Sequence, residues 1–137
     1  MAAQRSAAHA LSARINEAYR TLAAPLPRAL YLLRLRGDAG LADGEDLLSG
    51  GDDGLLMQVL ELRERIEDAQ EDAEVARMRA ENERRIEGCV RVLERAFADD
   101  DLEAAKREAV RLRYWVNVED VLREWEKGKP VVMEHRD

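Results

Sequence analysis

Apolar residues recur along this chain at spacings of three and four, the period of an α-helix, and the pattern calls for no strand. The first stretch runs from about Gln4 to Leu22 and puts Leu11, Ile15, Ala18 and Leu22 on one face. Ala24-Pro25 interrupts it, because the residue before a proline is pushed out of the α region. Pro25 then opens a second helix at its first position, where the missing N–H costs nothing. That helix runs to about Arg36, with Leu26, Leu30 and Leu33 on one side. Arg34 and Arg36 suit the negative end of its dipole, and Gly37 is its expected C-cap.

Residues 38–52 are rich in glycine and acid and read as a flexible linker, with Leu47 and Leu48 tucked onto a neighbour. Asp53 is the expected N-cap of a third helix, Asp53–Asp68. A fourth runs from about Asp72 to Phe97, with Val75, Met78, Ile86, Val90, Leu93 and Phe97 broadly on one side. Gly88 in its middle costs ~1 kcal/mol relative to alanine, and close packing is a reason to keep it. Ala98–Asp101 is a tight acidic turn, and Asp100 and Glu103 have the spacing of a capping box. The last helix is expected to reach about Lys127, ended by Gly128 and Pro130, with a loose tail from Val131 to Asp137.

Three long helices with short connections make an antiparallel bundle. The fold class is therefore all-α, a three-helix bundle preceded by a helical pair. The expected division is 1–37 for the pair, 38–52 for the linker, 53–128 for the bundle and 129–137 for the tail.

Two of the bundle helices carry more apolar surface than one seam requires. In the third helix, Leu55, Val59, Leu62 and Ile66 form an ordinary core stripe. Leu56, Met57 and Leu60 lie on the far side, with Glu61, Glu64 and Asp68 near them. This second set is either core, because the helix is buried on two sides, or a contact surface for a partner. In the last helix, Leu102, Ala105, Ala109, Leu112 and Val116 form one stripe, and Tyr114, Val118, Val121 and Trp125 form another.

Composition narrows the function. With 46% apolar and 37% charged residues the chain can bury a core, and its balance of charge points to helices. A net charge of −7 argues against nucleic acid or an anionic membrane as the main partner. No apolar run approaches the roughly 20 residues that span a bilayer, and there is no signal-peptide core. The single cysteine, Cys89, excludes an intramolecular disulfide and a cysteine-only metal or cluster site, and reads as a small core residue. His9 and His135 stand near the ends with no ligand partner at helical spacing. There is no Glu-x-x-His pair, phosphate loop or nucleophile elbow. The expectation is a protein without cofactor, metal or catalytic residues, whose acids form a solvated face with pairs such as Glu87–Arg91.

Three stretches carry a resemblance to a known family. LLMQVLELRERIEDA (Leu55–Ala69) resembles the scaffold-binding helix of the HscB-type J-protein co-chaperones, which serve iron–sulfur cluster biogenesis. SARINEAYRTLAAPLPRALYLLRLRG (Ser12–Gly37) resembles the last two helices of their J-domain and its exit. AVRLRYWVNVEDVLREW (Ala109–Trp125) resembles their final helix. Together the three cover most of the chain, in the family's order.

The resemblance implies binding and recruitment. The bundle would hold an IscU-type scaffold protein and bring it to a dedicated DnaK-type chaperone, which uses ATP to promote cluster transfer. Leu56, Met57 and Leu60 would be the apolar anchors, and Glu61, Glu64 and Asp68 would steer basic groups on the scaffold. The family position matching Tyr114 lies beside the leucine patch, which implies a place for Tyr114 in the site; as an aromatic of the bundle core it has an equally ordinary role. The family's J-domain acts on its chaperone through a His-Pro-Asp tripeptide, and this chain has none. The match begins inside the third J-domain helix, so a truncated start and no chaperone stimulation are expected. The start MAAQRSAAHALSAR has the look of a weak transit peptide, but the match claims part of it as helix. WEKGKPVV after the last helix looks most like the fungal mitochondrial members, which implies the mitochondrial matrix, with a bacterial cytoplasm as the alternative. The alternative function is a structural helical module that self-associates through the Leu56/Met57/Leu60 face. The helical pair, separated from its family partners, is expected to sit loosely beside the bundle.

Overall fold

The computed structural model describes residues 2–38, residue 40 and residues 53–126. Among them are five α-helices and no strand: α1 (Ala2–Ala23), α2 (Pro25–Leu35), α3 (Asp53–Asp68), α4 (Asp72–Ala98) and α5 (Leu102–Arg123). Most of the expected linker, with Leu47 and Leu48, and the segment from residue 127 on, with Gly128 and Pro130, lie outside the described residues.

Local chemistry sets several of the helix ends. Ala24 is extended, as a residue before proline must be, and Pro25 opens α2. Gly37 takes φ +90 just past α2. Its N–H donates to the Arg34 carbonyl at 3.0 Å and the Asp38 N–H to the Leu33 carbonyl at 2.9 Å, a Schellman closure. The turn from α4 into α5 repeats this closure with an aspartate in the glycine's place. Asp100 has φ 54, its N–H reaches the Phe97 carbonyl at 3.1 Å, and the Asp101 N–H reaches the Ala96 carbonyl at 2.8 Å. Asp101 then caps α5, its carboxylate accepting from the Ala104 N–H at 3.1 Å. The expected Asp100–Glu103 capping box is therefore not formed: Asp100 is committed to the left-handed turn, and Asp101 caps α5 alone, with Ala104 at the position where a box needs Glu or Gln.

Helix α5 also ends at Arg123, four residues before the expected Lys127. The reason lies on the neighbouring helix. Arg79 of α4 donates through Nε to the Leu122 carbonyl at 3.0 Å, through a terminal nitrogen to the same oxygen, and to the Arg123 carbonyl at 3.5 Å. A guanidinium on the last carbonyls does what a C-cap glycine does, so the helix stops before its glycine.

Helix α5 is the hub of the packing. It runs back along α4 and also meets α2 and α3. That explains its two stripes: Ala105, Ala109, Leu112, Val118 and Leu122 are all fully buried, and Tyr114, Val116, Val121 and Trp125 pack half-buried against the same core. Cys89 takes the core position expected of it, 4% exposed. Gly88 does not serve close packing, since nothing lies within 4 Å of where a Cβ would stand.

The N-terminal pair divides in two. Leu26, Ala29 and Leu33 of α2 are buried in the same core cluster as the bundle. Helix α1 packs on α2 and leaves Leu11, Ile15 and Leu22 about half or more exposed. The expectation of a loose pair thus fails for α2, whose apolar side finds α5, and describes only the uncovered face of α1. On the surface, Arg63–Glu67, Arg85–Glu81, Arg95–Asp99 and Arg123–Glu119 form i,i+4 ion pairs. Among the described residues Glu87 and Arg91 do not pair, contrary to the expectation from their spacing.

Candidate docking surface

Helix α3 separates its two apolar sets cleanly. Leu55, Val59, Leu62 and Ile66 are 1%, 9%, 3% and 0% exposed, the stripe read from the sequence. Leu56, Met57 and Leu60 are 41%, 56% and 46% exposed. At about 100° per residue, Leu56, Leu60, Glu64 and Asp68 follow one another up the helix, with Met57 and Glu61 beside them. The inner side is spent on the core, and no other described part of the chain covers the outer one. Of the two readings left open by the pattern, the described residues give burial on one side only.

The charges on α3 are sorted as well. Its two arginines are engaged, Arg63 with Glu67 at 3.1 Å and Arg65 with Glu81 of α4 at 3.2 Å. Glu61, Glu64 and Asp68 are exposed and make no ion pair among the described residues. The outer face is therefore three apolar side chains bordered by uncompensated carboxylates. A surface of that kind is chemically suited to a basic, partly apolar partner.

Six of the seven expected site residues share this face. The seventh, Tyr114, stands on α5, half-buried against the core. His9 lies exposed on α1, and His135 is outside the described residues. Among the described residues no group of three histidines, cysteines or carboxylates is placed to hold a metal. Burial pushes the Cys89 thiol from 9.0 to about 12, and Glu108 beside it pushes the same way, so the thiolate that nucleophilic or metal chemistry needs is suppressed. No described helix is long and apolar enough to cross a membrane.

One group of residues went unread in the sequence. Between α4 and α5 runs a polar seam. Asn82, 0% exposed, donates through Nδ2 to the Trp115 carbonyl at 2.8 Å. Arg85 lies over the Trp115 ring at 5.2 Å, and Arg113 and Asn117 are buried nearby in sequence. The signal was available: Val75, Asn82, Cys89 and Ala96 recur every seven residues, so Asn82 occupies a core position of the heptad.

The geometry agrees with what comparison to known proteins finds. The HSCB C-terminal oligomerisation domain family matches residues 51–123, which takes in α3, α4 and α5. The mitochondrial J-type co-chaperone JAC1 of Saccharomyces cerevisiae is 30% identical over 126 residues, covering 90% of this chain and 68% of the relative. The iron–sulfur cluster co-chaperone protein HscB of Mus musculus is 34% identical over 109 residues, 80% of this chain but 45% of its own length, so this chain spans less than half of that relative. The solved structure of the yeast Jac1 co-chaperone superposes with a TM-score of 0.81 at 30% identity, over 92% of this chain and 80% of the other. An all-α bundle with this helix order, matched over more than half its length by the family's C-terminal domain, belongs to the HscB family of J-type iron–sulfur cluster co-chaperones.

Proposed function

We propose that this chain is a recruitment adapter: it binds an IscU-type iron–sulfur scaffold protein through the outer face of α3 and presents it to a dedicated DnaK-type chaperone. One observation carries the reading. Leu56, Met57 and Leu60 are held out to solvent by a helix whose opposite side is fully buried. A rigid apolar cluster with charged neighbours is how a small interface concentrates affinity. The free carboxylates of Glu61, Glu64 and Asp68 steer basic groups on the scaffold toward it. Tyr114, half-buried on α5, joins the site in this reading on the strength of the family resemblance. The work is binding, not catalysis, and its setting is the mitochondrial matrix, in keeping with the yeast relative's name.

Calorimetric titration of a purified IscU-type scaffold tests this. Leu56→Ala with Leu60→Ala is expected to weaken binding by more than ~2 kcal/mol, the scale of hot-spot anchors. Raising the salt is expected to weaken the wild-type interaction through screening of the acid face. Unchanged affinity in the double variant sinks the proposal. The self-association reading predicts instead a concentration-dependent mass that is insensitive to salt, and it has to bring like-charged carboxylates together.

A further inference from the structure

The junction between the N-terminal hairpin and the bundle is more than an apolar contact. Arg36, the C-cap of α2, carries its guanidinium to the C-terminal end of α4. It donates to the Phe97 carbonyl in the last turn of α4 at 3.3 Å, pairs with the Asp100 carboxylate, and lies over the Phe97 ring at 5.7 Å. Helix C-termini carry partial negative charge, and here the ends of α2 and α4 converge beside the acids of the Asp99–Asp101 turn. Without a cation between them those ends repel. Two residues on, the Schellman turn at Gly37 delivers Asp38 to Lys106 of α5 at 3.3 Å, with side chains 17% exposed for the lysine and 29% for the aspartate.

We infer that Arg36 and Asp38 form a latch with the Phe97–Asp100 turn and Lys106 that fixes the angle of the α1–α2 hairpin on the bundle. The apolar contacts of Leu26, Ala29 and Leu33 bring the hairpin to α5, but burial is non-directional and leaves its orientation weakly set. Hydrogen bonds to a carbonyl, a ring contact and a paired charge have geometry, and all three are made within one turn of the α2 terminus. The two ion pairs have opposite polarity across the junction: hairpin cation to bundle anion, and hairpin anion to bundle cation. A hairpin rotated about the contact would lose both. Arg36 is thus a positioning residue. It holds the hairpin at a fixed distance from the outer face of α3, so that whatever docks there is presented in a set relation to the hairpin. That consequence rests on the proposed function; the latch itself does not.

Spin-label distance measurements on the full chain test it without any partner. Ala8→Cys on α1 and Ala80→Cys on α4 are both exposed labelling positions, while the native Cys89 is buried. The latch predicts one narrow distance in the otherwise unchanged chain, and loss of that narrow peak in Arg36→Ala with Lys106→Ala while helicity is kept. Asp38→Lys alone is expected to broaden the distribution, and adding Lys106→Asp to restore it, since the pair is re-formed with its charges exchanged. A narrow distribution surviving Arg36→Ala with Lys106→Ala would overturn the inference and leave the apolar contact as the only restraint. So would broadening by Asp38→Lys that the second substitution does not reverse, or loss of helicity along the whole chain with the peak.

Discussion

Helices α1 and α3 both hold a row of apolar side chains in solvent, but α3 is anchored from behind and α1 is not. Leu11, Ile15 and Leu22 lie on the apolar stripe read from the sequence of α1, and all three are well exposed, Leu22 at the cleft it shares with Leu30 and Tyr31 of α2. The exposed Leu56, Met57 and Leu60 of α3 are a second stripe, added to one that is fully buried. The difference is what a docking face requires. Anchors that stay in place when unbound lose little conformational freedom on binding. An apolar row on a helix fixed along one side by α2 lacks that support. Helix α2 is the intermediate case, short and with a modest stripe, yet docked, because α5 packs against α2 as well as α4 and α3.

The comparison can be broken at its strongest point by Leu33→Ala. Leu33 is 1% exposed, and truncating such a leucine costs roughly 2–5 kcal/mol when the site cannot collapse. Chemical denaturation should register that loss, with amide exchange in α2 accelerating first. Leu11→Ala and Ile15→Ala in α1, exposed by 59% and 60%, are expected to stay within about 0.5 kcal/mol of wild type. Equal losses in the two helices would mean that α1 is supported as well as α2 is.

A smaller effect sharpens the same contrast inside the bundle. Gly88 of α4 has ordinary helical surroundings and open space at its Cβ position. Gly88→Ala is expected to raise stability by about 0.5–1 kcal/mol, through the conformational entropy that glycine loses on folding. A fall in melting temperature would show that the backbone there is approached more closely than the packing indicates.

The parts of this fold that follow from periodicity were legible in the sequence. The inner stripe of α3, the break at Ala24-Pro25 and the glycine cap after α2 depend on residues within a few positions of one another. What was not legible depends on a second helix. The end of α5 is set by Arg79, more than forty residues away, so its own Gly128 and Pro130 misled. Asn82 sits in a core heptad position, but only the α5 carbonyl it meets explains its burial. Arg36 was read as a dipole complement to its own helix, when it serves α4 as well. The candidate site fell between these cases. Six of its seven expected residues could be named from α3 alone, but whether Leu56, Met57 and Leu60 were core or surface required knowing what else α5 and α4 cover.

The claim that one side of α3 folds the bundle and the other binds a partner is tested most directly by a crossed pair of substitutions. Ile66→Ala and Leu60→Ala, six residues apart on the same helix, are each measured by thermal melting and by titration with an IscU-type scaffold. Ile66 is 0% exposed and Leu60 46%. The account predicts that Ile66→Ala lowers the melting temperature by several degrees, while Leu60→Ala melts near wild type and loses at least about tenfold in affinity, roughly 1.4 kcal/mol. A Leu60→Ala variant that melts early and binds normally once folded would contradict it, and would return the outer face of α3 to the core.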